Sequence, residues 1–373
     1  MSLKIHSKIG KTMKTINIKS VVLSILAVVS ITQPAEACTR SLFVGSDEVV
    51  ITGRSMDWVE DLHSDLWAFP QGMTRDGAAG PQSITWTSKY GSLIVSGYNA
   101  GTADGMNEKG LVANMLYLDE SDYGKPNGDK PVMSISIWAQ YVLDNFATVS
   151  EAVDALQQEP FQIIAPILPN GFPAQMHLSI SDPNGDSAIL EYIDGKLVIH
   201  HGKQYLVQTN SPTYDQQLAL NTYWQSIGGL TFLPGTNRSA DRFARASFLI
   251  EAIPKKSAPA YIKAVPEGTF INQAVASVLS VIRSVSVPFG ITTPGEPNIA
   301  STIWRTVSNQ KDKVYFYDSS TSPNVFWVAL TDLDLKKGAP VKKLTLTGGK
   351  IYLGNAVSNF EVAKPFAFLP AQP

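Results

Sequence analysis

The chain has 373 residues, 44% of them hydrophobic and 17% charged, with a formal net charge of −2. That balance describes an ordinary globular protein with no basic tract for nucleic acid. The one cysteine rules out a disulfide within the chain, and the five histidines (His6, His63, His177, His200, His201) show no ligand-type spacing with it or each other, so no metal site is expected.

From the N-terminus, Lys4, His6, Lys8, Lys11, Lys14 and Lys19 make a basic start, with Met13 an equally good point of initiation. An apolar run from Val21 to Ile31 follows, then Pro34 and the small-x-small triplet Ala35-Glu36-Ala37. This three-part pattern predicts a secretory peptide over residues 1–37, cleavage before Cys38, and an exported product, periplasmic or secreted. The apolar run falls short of the roughly 20 residues that span a bilayer, so no stable membrane insertion is expected. A lipid-anchored product is a further reading, but Ala35 stands where lipoprotein signals usually carry leucine, and lipidation would consume the sulfur.

Cleavage makes Cys38 the first residue, with a thiol of ordinary pKa about 8.5 and an α-amine of about 7.7–8.0 on one Cα. One residue then supplies both nucleophile and base, a pairing known for terminal threonine. It would also explain why an exported protein keeps a thiol open to oxidation. A cysteine that merely happens to follow a cut would leave the same trace.

Residues 38–373, which is 373 minus 37 or 336 residues, are expected to form a single domain. Cys38–Val44 and Val49–Ser55 read as a hairpin across Gly45-Ser46-Asp47-Glu48, and Leu66–Phe69, Ile84–Thr87, Ser92–Tyr98 and Leu111–Leu118 as further strands. Ser134–Phe146 carries helical spacing, and Thr148-Val149-Ser150-Glu151 is a capping box before a second helix. Strands resume at Gln162–Ile167, Met176–Ser181, Ser187–Tyr192, Lys196–His200 and Tyr205–Gln208, with Asp194-Gly195 a two-residue hairpin turn. Residues 214–226, 240–252 and 270–285 read as helices, and strands return at Thr302–Val307, Lys313–Tyr317, Val325–Leu330 and Lys343–Leu346. Strand runs alternating with helix pairs suggest two mainly antiparallel sheets between helical layers.

Four positions besides Cys38 carry chemistry. Arg54 and Asp57 emerge at the end of the strand paired with that of Cys38; a guanidinium there would favour thiolate and a carboxylate would orient the amine, although an exposed ion pair fits the same residues. Asn210 ends an apolar strand before Ser211-Pro212, as a turn former or as an oxyanion donor. Ser239 reads as the N-cap of a helix in which Arg242, badly placed for the helix dipole, hints at another purpose.

The stretches Ala37-Cys38-Thr39-Arg40, Gly53-Arg54-Ser55-Met56-Asp57-Trp58, Asp104-Gly105-Met106-Asn107-Glu108-Lys109-Gly110-Leu111, Thr209-Asn210-Ser211-Pro212 and Ser239-Ala240-Asp241-Arg242-Phe243, in this order, resemble the choloylglycine hydrolase family of penicillin V acylases and bile salt hydrolases, above all its exported Gram-negative branch. The resemblance implies an α+β fold, the αββα four-layer sandwich of N-terminal-nucleophile hydrolases, and hydrolysis of a linear amide C–N bond in a small acyl amide, without metal or organic cofactor. It implies Cys38 as nucleophile, Arg54 and Asp57 as supports of thiol and amine, Asn210 as oxyanion donor, and Arg242 as the closing member of the network. Tyr117 falls at the second oxyanion donor, a backbone N–H. Its side chain is asparagine in many bile salt hydrolases and aromatic in penicillin V acylases, so with Trp58 it would form an aromatic substrate wall. Penicillin V is therefore the favoured substrate, with conjugated bile salts and N-acyl homoserine lactones as alternatives; a secreted binding module on the same fold is the reading outside catalysis. Relatives form homotetramers through an excursion that residues 213–238 occupy here, where Leu218, Leu220, Tyr223, Trp224, Leu230 and Phe232 would be buried between subunits or within one.

Overall fold

In the computed structural model, which describes residues 38–292 and 300–372, Thr39–Val44 and Val50–Trp58 pair antiparallel, Thr39 opposite Ser55 and Val44 opposite Val50. Their reversal places Asp47 and Glu48 at φ 55° and 58°, the left-handed conformation a tight hairpin needs. Asp194 and Gly195 do the same at 50° and 73°. The expected secretory segment lies outside the described residues.

This hairpin forms the second and third strands from one edge of the first sheet. Its strands run, across the sheet, Val207–Gln208, Thr39–Val44, Val50–Trp58, Ser301–Asn309, Val314–Ser319, Val325–Ala329 and Gly354–Asn355. All neighbours are antiparallel except the last pair. The second sheet runs Lys196–His201, Ser187–Ile193, Met176–Ser181, Val112–Tyr117, Gly101–Asn107, Ser92–Gly97, Leu66–Phe69, Lys342–Leu344 and Glu361–Val362, antiparallel throughout.

Helices α1 (Trp138–Asn145) and α2 (Val149–Leu156) cover the outer face of the second sheet, while α3 (Tyr214–Ile227), α4 (Ser239–Ala252) and α5 (Phe270–Ser284) lie on the side of the first. The result is the four-layer αββα arrangement, with apolar cores under each helical layer and a third core between the sheets. Thr148 caps α2 by accepting the Glu151 N–H, as the capping box predicts, while the Glu151 carboxylate accepts the N–H of Ala147, one residue before the cap. Because both faces are covered, all nine residues of Val50–Trp58 are buried. Gly53 lets α5 approach that strand: a Cβ there would lie 2.6 Å from Ile282 and 2.7 Å from Val278.

Three departures from the sequence reading have physical causes. The strand Gly101–Asn107 was not expected, because GTADGMN has two glycines and no apolar alternation; its two neighbours draw it into the ladder. The helix expected from Ser134 starts at Trp138, after a 3-10 turn at Ile135–Ile137. Arg238, not Ser239, is the N-cap of α4, because the Ser239 hydroxyl is engaged with the segment that carries Asn210. Among the described residues no helix is long and apolar enough to cross a membrane.

Candidate active site

Strand alternation sorts the side chains near Cys38. Arg54 and Met56 point between the sheets toward Cys38, while Ser55 and Asp57 take the other face. The Cys38 Sγ lies 3.7 Å from Met56 Sδ and 3.7 Å from the Asp57 carbonyl, and an Arg54 Nη2 donor lies 3.8 Å from it. Arg54 also donates to the Met115 carbonyl at 2.8 Å, lies 3.7 Å from the Asp104 carboxylate, and stacks 4.6 Å from the Trp304 ring centroid. The exposed Arg54–Asp57 ion pair is therefore not what forms: both are fully buried, and the ionic partner of Arg54 is Asp104.

Asp57 receives hydrogen bonds from the hydroxyls of Ser55 and Thr302. Burial raises its pKa to about 6, against the opposing pull of the Arg242, Arg54 and Arg305 guanidiniums and the Thr302 hydrogen bond. In the 373-residue chain the Cys38 nitrogen is a peptide amide.

Arg242 is fully buried and projects from the first turn of α4 into the site. It donates to the Cys38 carbonyl and the Thr39 hydroxyl, each at 2.6 Å, to Asn210 Oδ1 at 2.9 Å and to the Asn237 carbonyl at 2.9 Å. Burial lowers its pKa to about 10, which leaves it charged at neutral pH. These four acceptors explain a cation at the wrong end of a helix dipole. Asn210 is fixed from three sides: its backbone N–H donates to Ser239 Oγ at 2.9 Å, its Oδ1 accepts from Arg242, and its Nδ2 donates to the Tyr117 carbonyl at 2.8 Å. An amide nitrogen carries two hydrogens, of which the Tyr117 carbonyl takes one.

Trp58 and Tyr117 stand side by side, ring centroids 6.1 Å apart at 60°. Both line an apolar cleft that ends at Cys38 and is completed by Leu62, Tyr98, Met115, Leu168 and Met176. Around Cys38 the structure brings together Arg54 at its sulfur, Arg242 at its carbonyl, Asn210 on Arg242, and Trp58 and Tyr117 in the cleft, while the Asp57 carboxylate lies on the opposite face of its strand with Ser55 and Thr302. The sequence reading missed Tyr98, which receives the Trp58 indole N–H at 2.7 Å and donates to Glu60, and Thr302, the partner of Asp57. Neither carries a local signal, since both arrive from strand ends distant in sequence. Asp104, inside one of the matching stretches, carries no role in the sequence reading. Here it accepts from Asn114 at 2.6 Å and from the Tyr315 hydroxyl.

The arrangement combines a thiol beside a guanidinium, a buried carboxylate on the neighbouring strand, and an amide donor, next to an apolar cleft that Cys38 lines. Its chemistry is acyl transfer through a thioester. A family model described as linear amide C–N hydrolases, choloylglycine hydrolase family, matches residues 38–343. A penicillin V acylase of Pectobacterium atrosepticum is 49% identical over 369 residues, covering 94% of this chain and 97% of the relative. A bile salt hydrolase/transferase of Clostridium perfringens is 31% identical over 250 residues, covering 58% and 73%. The solved penicillin V acylase of Agrobacterium tumefaciens is similar with a TM-score of 0.81 and 56% identity, over 89% of this chain and 100% of that one. A conjugated bile acid hydrolase variant from Clostridium perfringens, TM-score 0.68 at 23% identity over 84% and 99%, shares the fold. With its αββα sandwich and its site at Cys38, this chain belongs to the choloylglycine hydrolase family of linear amide C–N hydrolases.

Proposed function

We propose that residues 1–37 are removed on export and that the mature protein is a penicillin V acylase-like enzyme, periplasmic or secreted, with Cys38 as nucleophile. The observation that carries this reading is the apolar cleft whose aromatic pair, Trp58 and Tyr117, leads to the Cys38 sulfur. The family match starting at residue 38 supports the cleavage site.

In the proposed mechanism the Cys38 thiol proton passes to its own α-amine, and the Arg54 guanidinium favours the thiolate. Asp57 orients the resulting ammonium. The sulfur attacks the amide carbonyl, forming a C–S bond and an oxyanion, which takes hydrogen bonds from Asn210 Nδ2 and the Tyr117 backbone N–H. Arg242 holds Asn210 and the Cys38 carbonyl in register. Collapse breaks the C–N bond as the ammonium gives its proton to the leaving nitrogen. Water, deprotonated by the amine, then attacks the thioester; the C–S bond breaks, the acid departs and the thiol is restored.

Stacking on a phenoxyacetyl group is worth about 0.5–1.5 kcal/mol beyond burial, which favours penicillin V over the aliphatic chain of an acyl homoserine lactone or the steroid of a bile salt. The test is a panel of these three amides with protein beginning at Cys38. Trp58→Ala and Tyr117→Ala are expected to raise KM for penicillin V by roughly 3- to 10-fold while leaving KM unchanged across variations of the amine half. Preference for another acyl group, or unchanged kinetics in both variants, contradicts this assignment.

A homotetramer belongs to the same proposal. In the excursion after Asn210, Leu220, Tyr223, Leu230 and Phe232 are exposed, Leu230 at 96%, whereas Leu218 and Trp224 are partly buried within the chain. Copies of this chain would cover the exposed set, and sedimentation of the mature protein reads the outcome directly.

A further inference from the structure

We propose that His177 is a positioning residue for catalysis, holding Asn210 in place through the carbonyl of Thr209. This rests on the reading of Asn210 as an oxyanion donor. His177 lies on the strand Met176–Ser181 of the second sheet, opposite Leu116 and next to the Met176–Tyr117 pair. Its side chain is 2% exposed and that of its partner Glu191 is 3% exposed.

The two ring nitrogens face different acceptors. Nε2 lies 2.8 Å from the Thr209 carbonyl oxygen and Nδ1 lies 2.9 Å from Glu191 Oε1. A carbonyl only accepts, so Nε2 carries a hydrogen and the tautomer is fixed. Nδ1 is left facing the Glu191 carboxyl. The second oxygen of Glu191 accepts the backbone N–H of Tyr214 at 3.0 Å. One buried dyad therefore holds both ends of the segment Thr209–Tyr214, and Asn210 lies within it.

The location explains why a side chain is needed. The two-residue strand Val207–Gln208 pairs with Ser41 and Arg40 and ends before Thr209. Past that point His177 supplies a donor from the opposite sheet. Tyr117, whose carbonyl accepts from Asn210 Nδ2, is on the strand paired with that of His177. The same sheet thus fixes both groups assigned to the oxyanion, one through its own backbone and the other through His177. A buried His–Glu pair contributes little net stability compared with apolar packing, so holding this geometry is the role that accounts for it.

The test uses mature enzyme beginning at Cys38 and whichever amide of the panel it turns over fastest. His177→Phe is expected to lower kcat by roughly 10- to 100-fold, the scale of a misplaced catalytic donor, with KM within about twofold. His177→Gln, which can still donate to Thr209, is expected to recover most of that loss. In an Asn210→Ala background, His177→Phe should cost nothing further. Should the phenylalanine variant not fold, His177→Asn, polar but too short to reach Thr209, takes its place in the cycle. Losses that multiply in the double variant overturn the proposal while leaving Asn210 as a donor. Unchanged kcat in Asn210→Ala alone overturns the oxyanion reading itself, and the role of His177 with it.

Discussion

Two sealed regions of this molecule are made of opposite materials. Under α1 and α2, Trp138, Val142, Leu143, Val149 and Leu156 pack against Ile94, Ala113, Leu178 and Leu190 of the second sheet, an interior of hydrocarbon and aromatic rings. Around Cys38 the interior holds Arg54, Asp57, Asp104 and Arg242, each fully buried. The first region contributes roughly 25 cal/mol for each Å² of apolar surface removed from water. The second works against folding: even with opposing charges nearby, burial pushes Asp57 up to about 6 and Arg242 down to about 10. The difference teaches that apolar cores, under the helices and between the sheets, carry the stability, and that the charges buried around Cys38 do not add to it. Substitutions in the two regions should therefore separate stability from activity.

The largest separation is expected at the sulfur. Cys38→Ala removes one small group from a buried position, so thermal unfolding should change little, while kcat falls more than about 10³-fold, as for other nucleophile deletions. A folded alanine variant that still turns over at a comparable rate would sink the assignment. The converse case is Leu143→Ala in α1, far from the reacting atoms. It should cost about 2–5 kcal/mol in stability, measured by chemical unfolding, with kcat and KM unchanged for the folded fraction.

A smaller effect of unusual sign belongs to Asp57. Burial pushes its carboxyl from the ordinary 3.8 up to about 6 in the folded chain, so the fold prefers it protonated. The stability this contributes is fully present below about pH 4 and is lost as pH rises through about 6. Asp57→Asn is neutral throughout. It should be more stable than the parent at pH 7, by on the order of 3 kcal/mol, with the advantage fading toward pH 4, and should be catalytically impaired. The gain should be smaller in the mature enzyme, whose α-ammonium adds a favourable charge. Denaturant midpoints from pH 4 to 8 measure it, and a destabilised asparagine variant at pH 7 would contradict the account of the polar centre.

The contrast between the regions also explains what the sequence made legible. The outer layers were readable because burial on one face writes a period: the Thr148 capping box and the apolar spacing of α5 located their helices closely. The polar centre writes none. Gly101–Asn107 was missed as a strand because its residues serve ion pairs and close packing instead of alternation. Ser239 was misread as a cap because local propensity could not anticipate the tertiary pull of Asn210 on its hydroxyl. The site residues themselves were legible mainly through several short stretches taken together. Each charged residue alone fitted a surface role, and His177 looked like an unremarkable strand residue until the Thr209 carbonyl was found beside it.

The central claim is that one residue supplies nucleophile and base, so that export and activation are a single event. With Ala37 still attached, the nitrogen of Cys38 is an amide that cannot take the thiol proton near neutral pH, and the nearest amine is displaced by a peptide unit, roughly 3.8 Å between Cα atoms. The direct measurement compares protein beginning at Cys38 with protein beginning at Ala37, both termini confirmed by mass spectrometry and both shown to be folded, on the same amide. The account predicts turnover only from the form beginning at Cys38. Equal rates from the two would contradict it, and would leave an internal cysteine in need of another base.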